Sequence, residues 1–262
     1  MDSKATPGAV GGPNYQAEIF VAVMGGHFAR ANVTIDPSSE TPIILNEPLG
    51  MVGIGSLKTH PAHDIRHDIR IDVNDRNVGF WSTYRPDPNG NLRVGKSDLT
   101  TGRVLLDVIV PPDPRITWAG ANYCASGQAH DYFMPVFMGQ PGFIDVFAKN
   151  DLAHQHRVFI GDELGFKPGE YTFAHGSNTP DMKYFLLTLN LTPDGHTKFG
   201  GNTQLIMLDM KALEQGKIKK VKEATIYGKP RDATGGHYHL SPAFHSGRQT
   251  DIPVGWRPRL HH

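Results

Sequence analysis

Residues 58–72 read K-T-H-P-A-H-D-I-R-H-D-I-R-I-D. Three imidazoles, His60, His63 and His67, fall within eight positions, and His-Asp-Ile-Arg occurs twice in tandem. Imidazole nitrogen is a borderline-soft ligand suited to copper, zinc, iron and nickel. Asp64 and Asp68 directly follow His63 and His67, where a carboxylate can bind a metal or orient a ligating ring. Lys58 adds an amine whose pKa a cationic site would lower, which suits proton transfer or anion binding. Duplication of a solvated loop produces the same pattern, and the stretch alone does not separate the two readings.

The elements that must position these groups are short. Gly (29) and Pro (20) are abundant among the 262 residues, and only 20% of residues are charged. Apolar, β-branched and aromatic runs of strand length alternate with Gly, Pro, Asn and Asp, the composition of many short strands joined by turns. The best helix candidate, 210–215, is about one turn. No apolar run approaches the roughly 18 residues of a membrane helix. Net charge is zero, which argues against a nucleic-acid partner. A single cysteine, Cys124, excludes an internal disulfide and any multi-cysteine metal site.

A repeat organises the strands. D-R-N-V-G-F-W-S-T (75–83), D-Y-F-M-P-V (131–136) and D-M-K-Y-F-L-L-T (181–188) align with Val78, Tyr132 and Tyr184 equivalent, at spacings of 54 and 52 residues. A second element recurs after each, at 94–104, 144–158 and 205–221. It aligns Asp98-Leu99 with Asp151-Leu152, and its third copy has a longer turn. Weaker matches surround Met24 and Tyr238. A period just above fifty with about four strands is that of a β-propeller blade, because one such sheet cannot bury both faces without neighbours. The fold expected is all-β, a propeller of four-stranded antiparallel blades. About four to five blade units lie in this chain, as part of a larger ring. One domain or partial propeller spans 1–262, with a flexible N-terminus at 1–16 and an irregular tail at 246–262. A second chain or a homo-oligomer would complete the ring.

The histidines recur with the repeat. His60, His63 and His67 precede the first good copy, His130 precedes Tyr132, His175 precedes the third, and His237 and His239 flank Tyr238. Taking the strand that begins at Val78, Tyr132 or Tyr184 as innermost, these side chains converge on the central channel. His60, His63, His130, His175, His237 and His239 are therefore the candidate metal ligands, with Lys58 and Asp64 as candidate proton-transfer groups. For any one of them, a hydrogen bond to a neighbouring blade or plain solvation is the competing reading. His154, His156, His196 and His245 read as surface residues.

T-H-P-A-H-D-I-R with F-W-S-T-Y, then Y-C-A-S-G-Q-A-H-D-Y-F-M-P-V, then F-A-H-G-S-N-T-P-D-M-K, resemble the copper-dependent propellers related to nitrous oxide reductase, most of all the thiocyanate dehydrogenases. The resemblance spans about residues 55–215. It implies a seven-bladed propeller with a copper cluster held mainly by histidines in the channel. It also implies oxidation of a small inorganic anion, thiocyanate, to cyanate and sulfur with two electrons removed. The location expected is periplasmic, with cytoplasmic as the alternative. His60 or His63, His130 and His175 match its ligand positions, and Lys58 matches less well. The chain departs from the family in its tandem H-D-I-R, which leaves the register of the first ligand ambiguous. A non-catalytic binding platform is the alternative. A calcium-centred hydrolase is disfavoured by the scarcity of carboxylates at the recurrent position.

Overall fold

The computed structural model describes residues 15–23, 27–36, 43–53, 66–84, 86, 89–116, 123–191 and 202–226. Its elements are strands apart from two single-turn helices. β1 (Tyr15–Val23), β2 (His27–Ile35) and β3 (Ile43–Gly53) form a three-stranded antiparallel sheet. Three four-stranded antiparallel sheets follow, each with its strands in chain order.

The first blade comprises β4 (Arg66–Ile71), β5 (Val78–Thr83), β6 (Arg93–Asp98) and β7 (Val104–Ile109). The second comprises β8 (Tyr123–Gln128), β9 (Tyr132–Phe137), β10 (Phe143–Ala148) and β11 (His154–Phe159). After helix α1 (Ile160–Leu164), the third comprises β12 (Tyr171–Asn178), β13 (Tyr184–Leu191), β14 (Thr203–Asp209) and β15 (Lys220–Ile226). Helix α2 (Met210–Glu214) fills the expected helical position and accounts for the longer third turn; the Asp209 carboxylate caps it by accepting from the Ala212 N–H.

Val78, Tyr132 and Tyr184 open β5, β9 and β13. Their carbonyls accept equivalent hairpin-closing bonds from Asp72, Ala129 and Thr179, at 2.8, 2.9 and 2.9 Å. The expected equivalence thus holds bond by bond, and the architecture is a partial β-propeller of several blades.

Two expectations are corrected. The innermost strand of each blade is the one before Val78, Tyr132 or Tyr184. Blades fan outward from an axis, so close backbone approach marks the inner end, and it is β4 that approaches β8 and β8 that approaches β12. His67 lies on β4, which starts at Arg66 and ends at Ile71 with a bulge between His67 and Arg70. The Asp98-Leu99 alignment is also displaced by three residues. The bonds Asp98 N–H to Arg103 O, Ala148 N–H to Ala153 O and Asp209 N–H to Lys219 O make Asp98, Ala148 and Asp209 equivalent. Leu152 (φ 58°) occupies the left-handed place that Gly102 (φ 75°) holds in the first blade, so the matching leucines were a coincidence of turn sequence.

The core lies between blades. Phe80, Val94, Phe133, Phe137, Phe143 and Phe147 are buried together between the first and second, with Phe80 stacked on Phe133 at 5.4 Å between ring centres. Val136, Ile144, Phe185, Leu187 and Ile206 are buried between the second and third. The alternation of each strand sends one set of side chains to each neighbour, so both faces of the middle blade are apolar.

Candidate functional site along the inner strands

Small residues let the inner strands come together. A Cβ on Gly127 of β8 would stand 2.5 Å from the Phe185 ring and 3.2 Å from the Asn178 backbone nitrogen. Polar side chains then bridge the seams. The Arg70 Nε–H on β4 donates to Ser126 Oγ on β8 at 3.3 Å. The Gln128 carboxamide donates to the Ile71 carbonyl at 2.7 Å and accepts from the Val73 N–H at 3.2 Å. Asn178, at the matching end of β12, accepts from the Gln128 N–H at 3.0 Å. His175 lies on β12, opposite Thr188 of β13, and is 8% exposed.

The predicted site residues separate. His175 is on an inner strand. His130 is in the β8–β9 turn, exposed, and so is not equivalent to His175. Asn74 Nδ2 donates to the His130 carbonyl at 2.6 Å, which turns Asn74 Oδ1 toward His130 Nδ1 at 3.0 Å. The carboxamide oxygen only accepts, so Nδ1 is the donor of this bond. Lys58, His60, His63, Asp64, His237 and His239 lie outside the described residues. Among the described residues no three His, Cys, Asp or Glu side chains come together to hold a metal ion. Alone, His175 and His130 do not make a copper centre.

Two polar clusters were not anticipated. Asp145 of β10 is fully buried and accepts from Arg157 Nε and Nη2 at 2.8 and 2.9 Å, from His154 Nε2 at 2.9 Å and from the Tyr123 hydroxyl. Burial and the Asp145 charge push the Tyr123 phenol well above its usual range. Burial opposes the Arg157 charge, but the bonds to Asp145 outweigh it and raise the guanidinium's pKa. His154, read as a surface residue, is half-buried and engaged here. The signal in the sequence is a lone carboxylate inside the apolar run F-I-D-V-F-A.

The second cluster joins the first two blades. Lys149 Nζ donates to Asp72 Oδ1 at 2.7 Å and to Gln128 Oε1 at 2.8 Å, and lies 5.4 Å from the centre of the Phe80 ring. Burial lowers its pKa, with Asp72 acting in the opposite direction.

No protein-family model and no curated protein matches the chain. Solved structures similar to it include the Dos1 propeller (11% identity, 77% of this chain, 45% of that one, TM-score 0.41). Hydrazine synthase of Kuenenia stuttgartiensis (11%, 72% and 51%, TM-score 0.39) is another. A third is the β-propeller domain of Cps50 (Swd1) from Myceliophteria thermophila (9%, 79% and 58%, TM-score 0.40). The chain spans about half the length of these structures.

Proposed function

We propose that this chain is part of a copper-dependent propeller oxidoreductase acting on a small inorganic anion, in the manner of the thiocyanate dehydrogenases. One observation carries the reading. The described segments that resemble that family, 80–84, 123–136 and 173–183, fall on β5, on the β8–β9 hairpin and on β12 with the turn after it, in three consecutive blades, while 59–65 lie outside the described residues. The resemblance thus includes the inner strands β8 and β12. Copper, when bound, supplies an electron acceptor and a Lewis acid toward water. Of the chain's own described side chains, His175 is the candidate ligand placed on an inner strand. Arg70, half-buried on β4, puts a fixed positive charge on the same part of the fold, which favours an anionic substrate. His130 serves the seam through Asn74. Further ligands would come from His60, His63, His237 and His239, with Lys58 and Asp64 as proton carriers.

The second reading is a binding platform without chemistry. It is favoured by the use of Arg70, Gln128 and Asn178 for bonds between blades. Elemental analysis of the purified chain, together with an assay of cyanate formation from thiocyanate, separates the two. Stoichiometric copper with turnover supports the enzyme; a metal-free, inactive chain supports the platform.

A further inference from the structure

Matching hydrogen bonds fix which residues of the three blades are equivalent, and two positions change character together. Leu99, Lys149 and Met210 each donate their backbone N–H to the first hairpin of their own blade, at Asn77, Asp131 and Lys183. The position is buried in all three: Leu99 and Met210 are 1% exposed and Lys149 6%. On the preceding blade, the residue that closes the inner hairpin is Asp72 in the first blade and Ala129 in the second. Lys149 is bonded to Asp72 across one seam. At the next seam, Met210 and Ala129 lie in one apolar cluster. The seam is thus an ion pair once and an apolar pair once, at the same place in the repeat.

Lys96 extends the difference. Its strand register makes it equivalent to Val146 and Met207. It donates to the Lys149 carbonyl at 3.3 Å. The first blade therefore presents a polar patch around Phe80 where the second presents an apolar one.

We infer that the Asp72–Lys149 pair is a key that specifies which blade docks on which. Blades of one repeat have similar apolar faces, so their order is not set by hydrophobic burial alone. A blade bearing Lys149 placed against Ala129, or one bearing Met210 placed against Asp72, leaves a buried charge without its partner. Removing one member of a buried pair is strongly destabilising, whereas replacing both with apolar groups is often neutral. Specificity then comes from penalising the wrong neighbour. The same rule would govern any blade offered by a second copy of the chain.

The test converts the ionic seam into the apolar type in the full chain. Asp72→Ala and Lys149→Met singly lower Tm by roughly 5–15 °C. The combined Asp72→Ala/Lys149→Met variant recovers most of that loss. Refolded from urea at matched concentration, it also gives a larger share of misassembled oligomer on size exclusion than the unsubstituted chain. If either single variant fails to fold, folding of the combined variant still reports the recovery. A combined variant as unstable as the sum of the singles, or an unchanged oligomer share, overturns the inference.

Discussion

The Arg157 guanidinium lies along the Asp145 carboxylate, Nε to Oδ1 at 2.8 Å and Nη2 to Oδ2 at 2.9 Å, in the interior of the second blade. The bidentate fit explains how a carboxylate at full burial is tolerated beside Phe143, over whose ring the guanidinium sits at 4.4 Å. Asp145→Asn keeps the shape and removes the charge. It should cost about 3–5 kcal/mol, because Arg157 is left buried without an anion. Urea unfolding of the variant gives the value; a midpoint within error of the parent's would show that Arg157 finds another partner.

Gly176 on β12 faces the Phe185 ring, and a Cβ there would stand 2.3 Å from it and 2.8 Å from Val136 Cγ2. Gly176→Ala should therefore destabilise by about 1–3 kcal/mol through overpacking of the second seam. Adding Phe185→Leu should return part of the loss. The thermal midpoints of both variants decide this, and a stabilised Gly176→Ala would contradict the seam's geometry.

Alkaline pH should unfold the protein through its tyrosines. Burial, the leading cause, pushes the Tyr171 phenol up to about 12, and pushes Tyr123 up as well. Both folded-state pKa values exceed the unfolded value near 10. Between the two values the native state therefore holds more protons, and stability falls as pH rises. Below pH 10 these two groups make no slope. Urea midpoints from pH 9 to 12, with phenolate absorbance followed in parallel, check the direction. Ionisation of both tyrosines in the native state at pH 10 would count against it.

Blade period and hairpin equivalence were legible because they rest on strand-starting apolar residues, whose burial dictates their type. Val78, Tyr132 and Tyr184 show this. Which strand is innermost was not legible, since approach between sheets leaves its mark in small residues such as Gly127 and Gly176, which also read as turns. The Leu152 turn misled because a buried leucine adopts the backbone that glycine adopts at 102. Of the candidate ligands, His175 and His130 looked alike in sequence, each ahead of a repeat. They differ because His130 stands two residues before Tyr132, inside the β8–β9 turn, whereas His175 stands nine before Tyr184, within β12. The Asp72–Lys149 and Asp145–Arg157 pairs join residues 77 and 12 positions apart, and a charge in an apolar run announces burial without naming its partner.

The copper reading is tested most directly by metal content per chain, measured after loading with copper and desalting. The unsubstituted protein should retain stoichiometric copper. His175→Ala should lose it while remaining folded, and His130→Ala should keep it, since that ring is exposed in the β8–β9 turn and bonded to Asn74. No retained copper in the unsubstituted chain, or equal copper in His175→Ala, would contradict a histidine-held site on the inner strands.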